Sequence, residues 1–395
     1  MFRGVVEGFY GKPWSARGRE SVVALLSLLE SPAYLYAPKS DPYHRLRWRE
    51  EYPEGTWDEL AGLIRTCGGR GVEFLFGISP WAFRDDEAAL LRSKAARALD
   101  EGAGGIAVLF DDIPDRVDAA LARRQIDLAE EALAGLPARI VLCPSAYCIE
   151  LLESLGGEGY LRAWRERVPG GWLSLWTGDR VVSRELTAAS VERAAELLGS
   201  VPVLWDNLLA DDYALRRIFL AGLEGRTGSG AGYLVNPSEI EPVALHAVLQ
   251  LLLAEGIRAE WPEALGDREA WDVLRRFHDT PWTDGGAGGL LAELRGALDA
   301  GSGEDLAERL EGMEETLTAF VESLPGIEGG FGLMPYALDL RKILYWWRTS
   351  LAKGDRAGRI AELRRLAMER LPYEHPLAAG TVETILGEHR GRSMR

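Results

Sequence analysis

The stretch "GGIAVLFDDIP", residues 104–114, carries the pattern from which the fold is inferred. A run of apolar residues ends in two adjacent aspartates, Asp111 and Asp112, and a segment with helical spacing follows. In that segment Leu121 and Leu128 lie seven residues apart with charged residues between them, which is typical of a helix with one buried face. The stretch therefore predicts a buried strand, a polar turn and a helix.

This order recurs along the first two thirds of the chain. The predicted strands are residues 3–10, 33–38, 72–78, 105–111, 139–144, 172–177, 201–206 and 232–237. They are nearly continuous apolar runs, as expected of parallel strands covered on both faces, and each precedes a segment that reads as helix. Eight such units in roughly 255 residues are typical of a (β/α)₈ barrel. A doubly wound open sheet is the alternative, but the loop "EGFYGKPW" (7–14) is not the glycine-rich phosphate loop that such sheets usually carry.

The last third of the chain has no strand pattern. A glycine-rich break, "DTPWTDGGAGG" (279–289), is followed by helical spacing in residues 290–324 and 335–352. One apolar stripe is formed by Leu340, Ile343, Leu344 and Trp347. This stripe favours a helix packed within a bundle, and a homodimer contact through the C-terminal helices is the alternative. We therefore predict a barrel domain at residues 1–265 and a smaller all-helical region at residues 266–395.

Composition indicates which partners the protein is expected to bind and in which compartment it is expected to lie. With 61 acidic and 45 basic residues the formal charge is −16, so nucleic acid is not an expected partner. The opening "MFRGVVEGFY" has no basic leader, and no run reaches the ~18 apolar residues of a membrane span. The 3 cysteines and 5 histidines are scattered, which predicts neither a disulfide framework nor a metal centre. We expect a soluble, cytoplasmic protein with no membrane partner and no cofactor.

Catalytic groups of a barrel lie on the loops that follow the C-terminal ends of its strands. The residues in those positions are Gly8–Tyr10, Lys39, Asp41, Ser79–Trp81, Asp111, Asp112, Tyr147, Trp176–Asp179, Trp205–Asn207, Asp212 and Asn236. Almost every strand thus ends in polar or aromatic side chains of the kind that bind sugars. The strand ends together predict a carbohydrate site.

The paired aspartates allow three interpretations. Aspartate suits a helix N-cap, but Asp115 is the more natural cap for a helix that starts near Val117. Two carboxylates can also hold Mg²⁺, although the other strand ends supply Tyr, Trp and Asn rather than further carboxylates. In the third interpretation the pair performs acid and base catalysis, because two like charges disfavour simultaneous ionisation and raise the pKa of one group.

Acid and base catalysis by neighbouring residues restricts the mechanism. A conventional retaining glycosidase uses two carboxyl groups about 5 Å apart on opposite sides of the anomeric carbon, which adjacent residues rarely reach. In substrate-assisted enzymes the acetamido group of the sugar is the nucleophile, and one carboxylate only orients it. Adjacent aspartates are compatible with that second mechanism.

Seven motifs extend this interpretation across roughly residues 4 to 255. They are "GVVEGFYGKPWS" (4–15), "YLYAPKSDPYHR" (34–45), "LFDDI" (109–113), "CPSAYC" (143–148), "WTG" (176–178), "PVLWDNLLADDY" (202–213) and "VNP" (235–237). In this order they resemble glycoside hydrolase family 84, the β-N-acetylglucosaminidases that include the protein O-GlcNAcases and enzymes formerly described as hyaluronidases. The small Ser145 and Ala146 depart from the more polar "PTEY" pattern of some relatives, which affects contacts to the aglycone.

The resemblance implies a role for each matching residue. Asp111 would accept a hydrogen bond from the acetamido N–H, and Asp112 would be the general acid and then the general base. Tyr147 would donate a hydrogen bond to the acetamido oxygen or to the oxazoline intermediate. The implied substrate-binding residues are Gly8, Tyr10, Lys39, Trp205, Asn207, Asp212 and Asn236. Of these, Trp205 would form a wall of the N-acetyl pocket.

Several neighbouring residues have structural interpretations instead. Strand alternation favours an inward hydrogen-bonding role for Asp206 over a catalytic one. Asp211 and Asp212 are each candidate caps of a helix at "YALRRIFL", and the motif spacing selects Asp212 as the ligand-binding residue. His44 is interpreted as a loop histidine with satisfied hydrogen bonds. A structural cluster of ion pairs and stacked rings is expected from Arg45, Trp48 and Arg49, with contact to the aglycone as the alternative.

The leading hypothesis is a retaining exo-β-N-acetylglucosaminidase that needs no metal and acts on a glycoprotein or glycan bearing terminal β-linked N-acetylglucosamine. A non-catalytic N-acetylglucosamine-binding protein is one alternative. A magnesium-dependent hydrolase that uses the aspartate pair is the other.

Overall fold

The computed structural model describes residues 1–112, 116–214, 217–226, 228, 230–283, 287–300, 303–353 and 355–367 of the 395-residue chain. Eight parallel strands form a closed barrel in which each strand pairs with the next and the last pairs with the first. They are β1 (Phe2–Glu7), β2 (Pro32–Tyr36), β3 (Glu73–Ile78), β4 (Gly105–Leu109), β5 (Arg139–Cys143), β6 (Leu173–Trp176), β7 (Val203–Asp206) and β8 (Gly232–Val235). The predicted (β/α)₈ barrel is confirmed.

Helices surround the strands in sequence and then continue alone toward the C-terminal part of the chain. The α-helices of the described residues are α1 (Ala16–Leu26), α2 (Glu54–Gly69), α3 (Ala88–Asp100), α4 (Ala119–Leu133), α5 (Ile149–Ser154), α6 (Glu158–Arg167), α7 (Ala188–Leu198), α8 (Glu241–Ala254), α9 (Arg268–Arg275), α10 (Ala287–Ala300), α11 (Glu304–Ser323), α12 (Gly330–Leu351) and α13 (Arg356–Ala367). Two 3₁₀ turns lie at Glu263–Leu265 and Leu324–Gly326. None of the described helices combines the length and apolar character that a bilayer crossing requires.

The barrel interior is filled by alternate residues of the strands. Its core cluster includes Val6, Leu35, Ala107, Val141 and Leu234, all fully buried. Because side chains of a strand alternate between two faces, the intervening residues face the helices. The same cluster includes residues near the C-terminal ends of the strands, namely Cys143, Tyr147 and Trp205. The packed core therefore continues directly into the end of the barrel where the polar loops lie.

Strand β1 fits against β2 because it carries a glycine at the point of closest approach. A Cβ atom at Gly4 would lie 1.7 Å from the carbonyl oxygen of Ala33. Strand β1 ends at Glu7, so residues 8–10, predicted as the end of the strand, belong to the following loop. That shift puts Gly8 and Tyr10 outside the wall of the barrel, among the loops.

Two local predictions about helices are wrong. The helix after β4 begins at Ala119, and its N-cap is Asp118, whose side chain accepts hydrogen bonds from the backbone N–H groups of Ala120 and Leu121. Asp115, the predicted cap, lies outside the described residues. The described part of "YALRRIFL" after β7 is not helical, because the N–H groups of residues 220 and 221 donate to the carbonyl oxygens of residues 278 and 279 instead. Neither Asp211 nor Asp212 therefore caps a described helix.

The chain packs into two compact units that do not follow chain order. The first contains Met1–Asp212, Gly222–Glu239 and Ala244–Ala259, and the second contains Tyr213–Ala221, Ile240–Val243 and the chain from Glu260 onward. The division into separate domains at residue 265 stays a prediction.

In the second unit, α12 packs against α11. The side chains of the predicted stripe, Leu340, Ile343, Leu344 and Trp347, are all buried. Aromatic rings add contacts, with Phe277 and Trp347 at 6.0 Å between centroids. The interpretation of this stripe as part of a helix bundle is confirmed, and a homodimer through these helices stays a prediction.

Candidate active site

The two adjacent aspartates after β4 lie in different environments. Asp111 is 5% exposed, whereas Asp112 is exposed to solvent. The backbone of Asp112 has a φ of 54°, in the left-handed region that residues other than glycine seldom adopt. The two carboxylates have different hydrogen-bond partners, so the pair does not act as one shared group.

Asp111 forms a buried ion pair with Lys39, whose Nζ donates a hydrogen bond to Oδ2. Burial alone would raise the pKa of the Asp111 carboxyl, but the ammonium group of Lys39 outweighs it and lowers that pKa. Burial likewise opposes the charge on Lys39, yet the carboxylates of Asp111 and Asp112 raise its pKa. Both groups are therefore charged at neutral pH. Adjacent like charges predicted a raised pKa for one aspartate, and at Asp111 the direction is the opposite because Lys39 neutralises it.

The other carboxylate oxygen of Asp111, Oδ1, bears most directly on what the site could bind. Oδ1 is buried and has no hydrogen-bond partner among the residues that the structure describes. A buried acceptor that stays unsatisfied costs free energy, and more so on a charged group. Oδ1 is thus suited to accept a hydrogen bond from a bound molecule.

Two tyrosine hydroxyls hold the carboxylate of Asp112. Tyr10 donates to Oδ2 at 2.7 Å, and Tyr147 donates to Oδ1 at 3.1 Å. Burial and the charge of Asp112 both raise the pKa of Tyr147, and the same two causes raise the pKa of Tyr10 against the opposing effect of Arg45. Both phenols therefore keep their protons at neutral pH and act as donors.

Arg45 contacts the same group from the loop after β2. Its Nη1 donates to the hydroxyl oxygen of Tyr10 at 2.7 Å, and its Nη2 donates to the backbone carbonyl of Asp112 at 3.1 Å. The guanidinium carbon lies 4.7 Å from the centre of the Trp81 ring. The sequence interpretation of Arg45, a structural cluster of ion pairs and stacked rings with aglycone contact as the alternative, included the ring contact but missed the hydrogen bonds to Tyr10 and Asp112. The signal that could have found it is the length of the loop after β2, since long loops at this end of a barrel carry site residues.

The structural interpretation fits the neighbours of Arg45 better. Arg49 forms an ion pair with Glu87 at 2.7 Å and lies 4.9 Å from the centre of the Trp48 ring. His44 donates through its Nδ1–H to the carbonyl oxygen of Gly77 at 2.9 Å, but its buried Nε2 has no partner among the described residues, so the predicted satisfied hydrogen bonds are found at Nδ1 only. Burial lowers the pKa of His44 to about 4, so its ring is neutral at pH 7.

A second group of hydrogen bonds connects the ends of β7, β8 and β1. The amide oxygen of Asn207 accepts from the indole N–H of Trp205 at 2.8 Å and from Asn236 at 2.9 Å. The backbone N–H of Gly8 donates to the side-chain oxygen of Asn236 at 3.3 Å. A Cβ atom at Gly8 would lie 2.6 Å from Cζ2 of Trp205, so only glycine leaves room for this ring. Lys39 completes the group with its Nζ 5.8 Å from the centre of the Trp205 ring.

The choice between Asp211 and Asp212 follows from their contacts. Asp212 accepts a hydrogen bond from the backbone N–H of Tyr10 at 2.8 Å and so lies beside the predicted pocket. Asp211 is 6% exposed, and burial raises the pKa of its carboxyl to about 7. Asp206 is buried in an ion pair with Arg226 at 2.6 Å, in agreement with its predicted structural role.

All of the predicted site residues are thus brought to one end of the barrel within the first unit. One group contains Gly8, Lys39, Asp111, Trp205, Asn207 and Asn236. The other contains Tyr10, Asp112, Tyr147 and Asp212. The two groups are connected through Asp111 and Asp112, which are adjacent in the sequence. In the described part of the chain, no three His, Cys, Asp or Glu side chains are arranged to hold a metal ion.

Comparisons with known proteins agree with this arrangement. A family model described as beta-N-acetylglucosaminidase matches residues 3–251. The chain is 35% identical over 266 residues to Protein O-GlcNAcase of Rattus norvegicus and 34% identical over 266 residues to Protein O-GlcNAcase of Mus musculus. Each match covers 62% of this chain and 29% of the relative, so the chain matches less than a third of the length of these relatives.

The family match extends over the whole barrel, from β1 to α8, and contains every predicted site residue. It also covers the seven motifs that resembled glycoside hydrolase family 84. The protein belongs to the β-N-acetylglucosaminidase family of glycoside hydrolases.

Proposed function

We propose that this protein is a retaining exo-β-N-acetylglucosaminidase that uses the acetamido group of its substrate as the nucleophile. The observation that carries the proposal is the buried Oδ1 of Asp111, an acceptor on a carboxylate whose other oxygen is held by Lys39. A substrate amide N–H is a donor that would satisfy this atom. Such a hydrogen bond favours the charge-separated resonance form of the amide, with positive charge on nitrogen and negative charge on oxygen, and makes the carbonyl oxygen more nucleophilic.

In the proposed first step, the carbonyl oxygen of the acetamido group attacks the anomeric carbon and the bond to the aglycone oxygen breaks. Asp112 donates a proton to that departing oxygen, and the acetamido carbon, oxygen and nitrogen become part of an oxazoline ring that keeps its N–H proton, hydrogen-bonded to Asp111. In the second step Asp112 removes a proton from water, which attacks the anomeric carbon and reopens the ring. Two inversions leave the product with the β configuration of the substrate.

Other residues of the site would bind the sugar. Tyr147 is protonated and would donate to the acetamido oxygen or the oxazoline, exchanging its hydrogen bond to Asp112 for one to the substrate. Trp205 and Asn207 would enclose the acetamido group. The sugar hydroxyls would bind to the remaining residues of the pocket, Gly8, Tyr10, Lys39, Asp212 and Asn236. The side chains of Trp205 and Asn236 are buried and would form walls of the pocket. Such walls support a site that binds the terminal sugar of a glycan.

We further propose a glycoprotein or glycan bearing terminal β-linked N-acetylglucosamine as the substrate. The support for a protein substrate is the likeness to two relatives named Protein O-GlcNAcase, which covers the barrel with its candidate site.

The first test compares 4-nitrophenyl β-N-acetylglucosaminide with the matching β-glucoside, each with and without EDTA. The proposal expects cleavage of the N-acetyl substrate alone, at the same rate in EDTA, with the β anomer as the first product seen by proton NMR. Equal cleavage of both glycosides, or the α anomer as the first product, would contradict it. Loss of activity in EDTA would favour a metal-dependent hydrolase, and sugar binding by calorimetry without turnover would favour a binding protein.

Variants of the aspartate pair separate their two roles. Asp112→Asn should lower kcat/KM by about 10²–10⁴-fold for a basic leaving group and far less for 2,4-dinitrophenolate, because only a basic leaving oxygen needs the acid. Asp111→Asn should lower kcat/KM for both substrates, since attack by the acetamido oxygen precedes departure of either group. If Asp111→Asn left turnover of the dinitrophenyl substrate intact, Asp111 would not orient the acetamido group.

A further inference from the structure

We infer that Arg45 is a positioning residue for the acid and base Asp112, which it acts on through the backbone of Asp112 and through the hydroxyl of Tyr10. The inference rests on the proposed function, because it concerns the proton transfers assigned to Asp112. Arg45 would not touch the reacting atoms, and its effect would pass through the two groups that it holds.

Among the described residues, no carboxylate forms a direct ion pair with the buried guanidinium of Arg45, although its charge acts on Asp111. Arg45 is 7% exposed, and its two recorded hydrogen-bond acceptors are a phenol oxygen and a backbone carbonyl. Burying a cation that forms no direct ion pair costs free energy. Two ring faces offset part of this cost, with the guanidinium carbon 4.7 Å from the Trp81 centroid and 5.7 Å from the Tyr10 centroid. Such a residue stabilises the fold less than an apolar one would, which favours a functional reason for its presence.

The contact to the backbone of Asp112 holds an unfavourable conformation. A φ of 54° is strained in a residue with a Cβ atom, and surrounding contacts must maintain it. The Nη2 of Arg45 donates to the carbonyl oxygen of Asp112 itself, at 3.1 Å. Rotation of Asp112 out of the left-handed region would move that carbonyl and break this hydrogen bond.

The contact to Tyr10 orients a proton. Because Nη1 of Arg45 donates to the hydroxyl oxygen of Tyr10, that oxygen is occupied as an acceptor and its own hydrogen is directed to Oδ2 of Asp112. Before substrate binds, Tyr147 donates to Oδ1, so both carboxylate oxygens then have a donor. Arg45 therefore determines the position of the Asp112 backbone and one of the two hydrogen bonds to its carboxylate.

Loss of Arg45 should impair proton transfer more than it affects orientation of the acetamido group. Asp111 shares its hydrogen bond with Lys39 and none with Arg45, and Lys39 lowers the pKa of Asp111 more than the charge of Arg45 does. The deficit should therefore resemble a weaker form of the Asp112→Asn deficit, with a loss that grows as the leaving group becomes more basic. If Arg45 instead bound the aglycone, its removal would raise KM for large aglycones and leave the dependence on leaving-group basicity unchanged.

The test measures kcat/KM of the full chain with two aryl β-N-acetylglucosaminides that differ in leaving-group basicity, 2,4-dinitrophenyl and 4-methoxyphenyl. Arg49→Met is the matched control, because Arg49 lies in the same loop and pairs with Glu87 rather than with the site. For Arg45→Met we expect a loss of at least about 10-fold on the methoxyphenyl substrate and less than about 3-fold on the dinitrophenyl substrate. Arg49→Met should change both values by the same factor.

Equal losses on the two substrates in Arg45→Met would overturn the inference and leave the proposed function standing. Should Arg45→Met fail to fold, Arg45→Lys provides the same comparison, since one ammonium group cannot reproduce the planar fork that bridges two acceptors. Inactivity of the unmodified protein on both substrates would overturn the proposed function and this inference with it.

Discussion

Gly8 shows how one missing side chain shapes the candidate sugar pocket. In Gly8→Ala the new methyl carbon would lie 2.6 Å from Cζ2 of Trp205 and 2.9 Å from Cγ2 of Val6, so the indole ring must move. Trp205 donates its indole N–H to Asn207, and that hydrogen bond would be displaced with the ring. We expect KM for 4-nitrophenyl β-N-acetylglucosaminide to rise by about tenfold or more, which corresponds to about 1.4 kcal/mol.

Gly62→Ala is the control for this experiment. Gly62 lies inside α2, and no atom is within 4 Å of a Cβ atom placed there. Alanine should therefore leave KM unchanged and stabilise the helix by about 0.5–1 kcal/mol. An unchanged KM in Gly8→Ala would mean that Trp205 does not border the sugar.

Protonation of Asp211 is expected to change the stability of the first unit. Burial raises the pKa of its carboxyl to about 7, with Asp212 and Glu239 adding like charge and Ser238 opposing it through a hydrogen bond. The unfolded chain has an aspartate pKa of about 3.9, so between pH 4 and 7 the native state holds a proton that the unfolded state has lost. The free energy of unfolding should therefore fall as the pH rises through this range.

Asp211→Asn removes the ionisable group and should remove that decrease. At pH 8 we expect the variant to be more stable than the unmodified protein by about 4 kcal/mol, at about 1.4 kcal/mol for each unit of raised pKa. At pH 4 the two proteins should have similar stability. Urea unfolding at both pH values measures the difference, and a difference that does not change with pH would contradict the assignment.

At the scale of a single element, α4 begins at a cap that the sequence pattern did not identify. Asp118 accepts from two N–H groups of the first turn, those of Ala120 and Leu121. Asp118→Ala should lower the free energy of unfolding by about 1 kcal/mol, the usual cost of removing such a cap. Asp127→Ala is the control within the same helix, because it removes only an exposed ion pair with Arg167 that is worth about 0–1 kcal/mol. Equal shifts in urea midpoint for both variants would mean that the cap does not stabilise α4.

The elements could be predicted from sequence because each strand is a local apolar run, but several of their ends could not. Strand β1 stops at Glu7, although the apolar pattern of "GVVEGFY" continues. The ends of these strands and helices depend on hydrogen-bond partners from distant segments. The spacing of hydrophobic residues along the sequence does not predict those partners. The segment after β7 is the clearest case, since its backbone N–H groups at Leu220 and Ala221 bond to residues 278 and 279 instead of closing a helix.

The candidate site was predictable to the extent that its residues follow strand ends or match family motifs. Tyr147 and Trp205 met both conditions, and the structure brings them beside Asp112 and Lys39. Arg45 is nine positions beyond the end of β2 at Tyr36, and only the folded loop brings it to Tyr10 and Asp112. The lowered pKa of Asp111 could not be read from the aspartate pair either, because its partner Lys39 comes from another strand end.

At the scale of the whole molecule, the order of the chain and the order of packing differ. Residues 213–221 and 240–243 belong to the second unit although they lie between strands and helices of the barrel. Within that unit, the N–H of Leu220 donates to the carbonyl oxygens of His278 and Asp279, and the N–H of Ala221 donates to that of Asp279. Ile218 and Phe219 are buried beside them. The first 265 residues therefore contain segments whose hydrogen-bond partners come later in the chain.

A fragment of residues 1–265, cut at the boundary that the sequence predicts, should consequently be less stable than the 395-residue chain. It lacks His278 and Asp279, so the N–H groups of residues 220 and 221 lose their acceptors at about 1 kcal/mol each, and buried side chains such as Phe219 become exposed at about 1.5–3 kcal/mol each. We expect the fragment to aggregate or to unfold at a lower temperature than the 395-residue chain, with a lower kcat/KM. Thermal unfolding and hydrolysis of 4-nitrophenyl β-N-acetylglucosaminide by the two chains measure the difference. An equally stable and active fragment would mean that the barrel folds without these contacts.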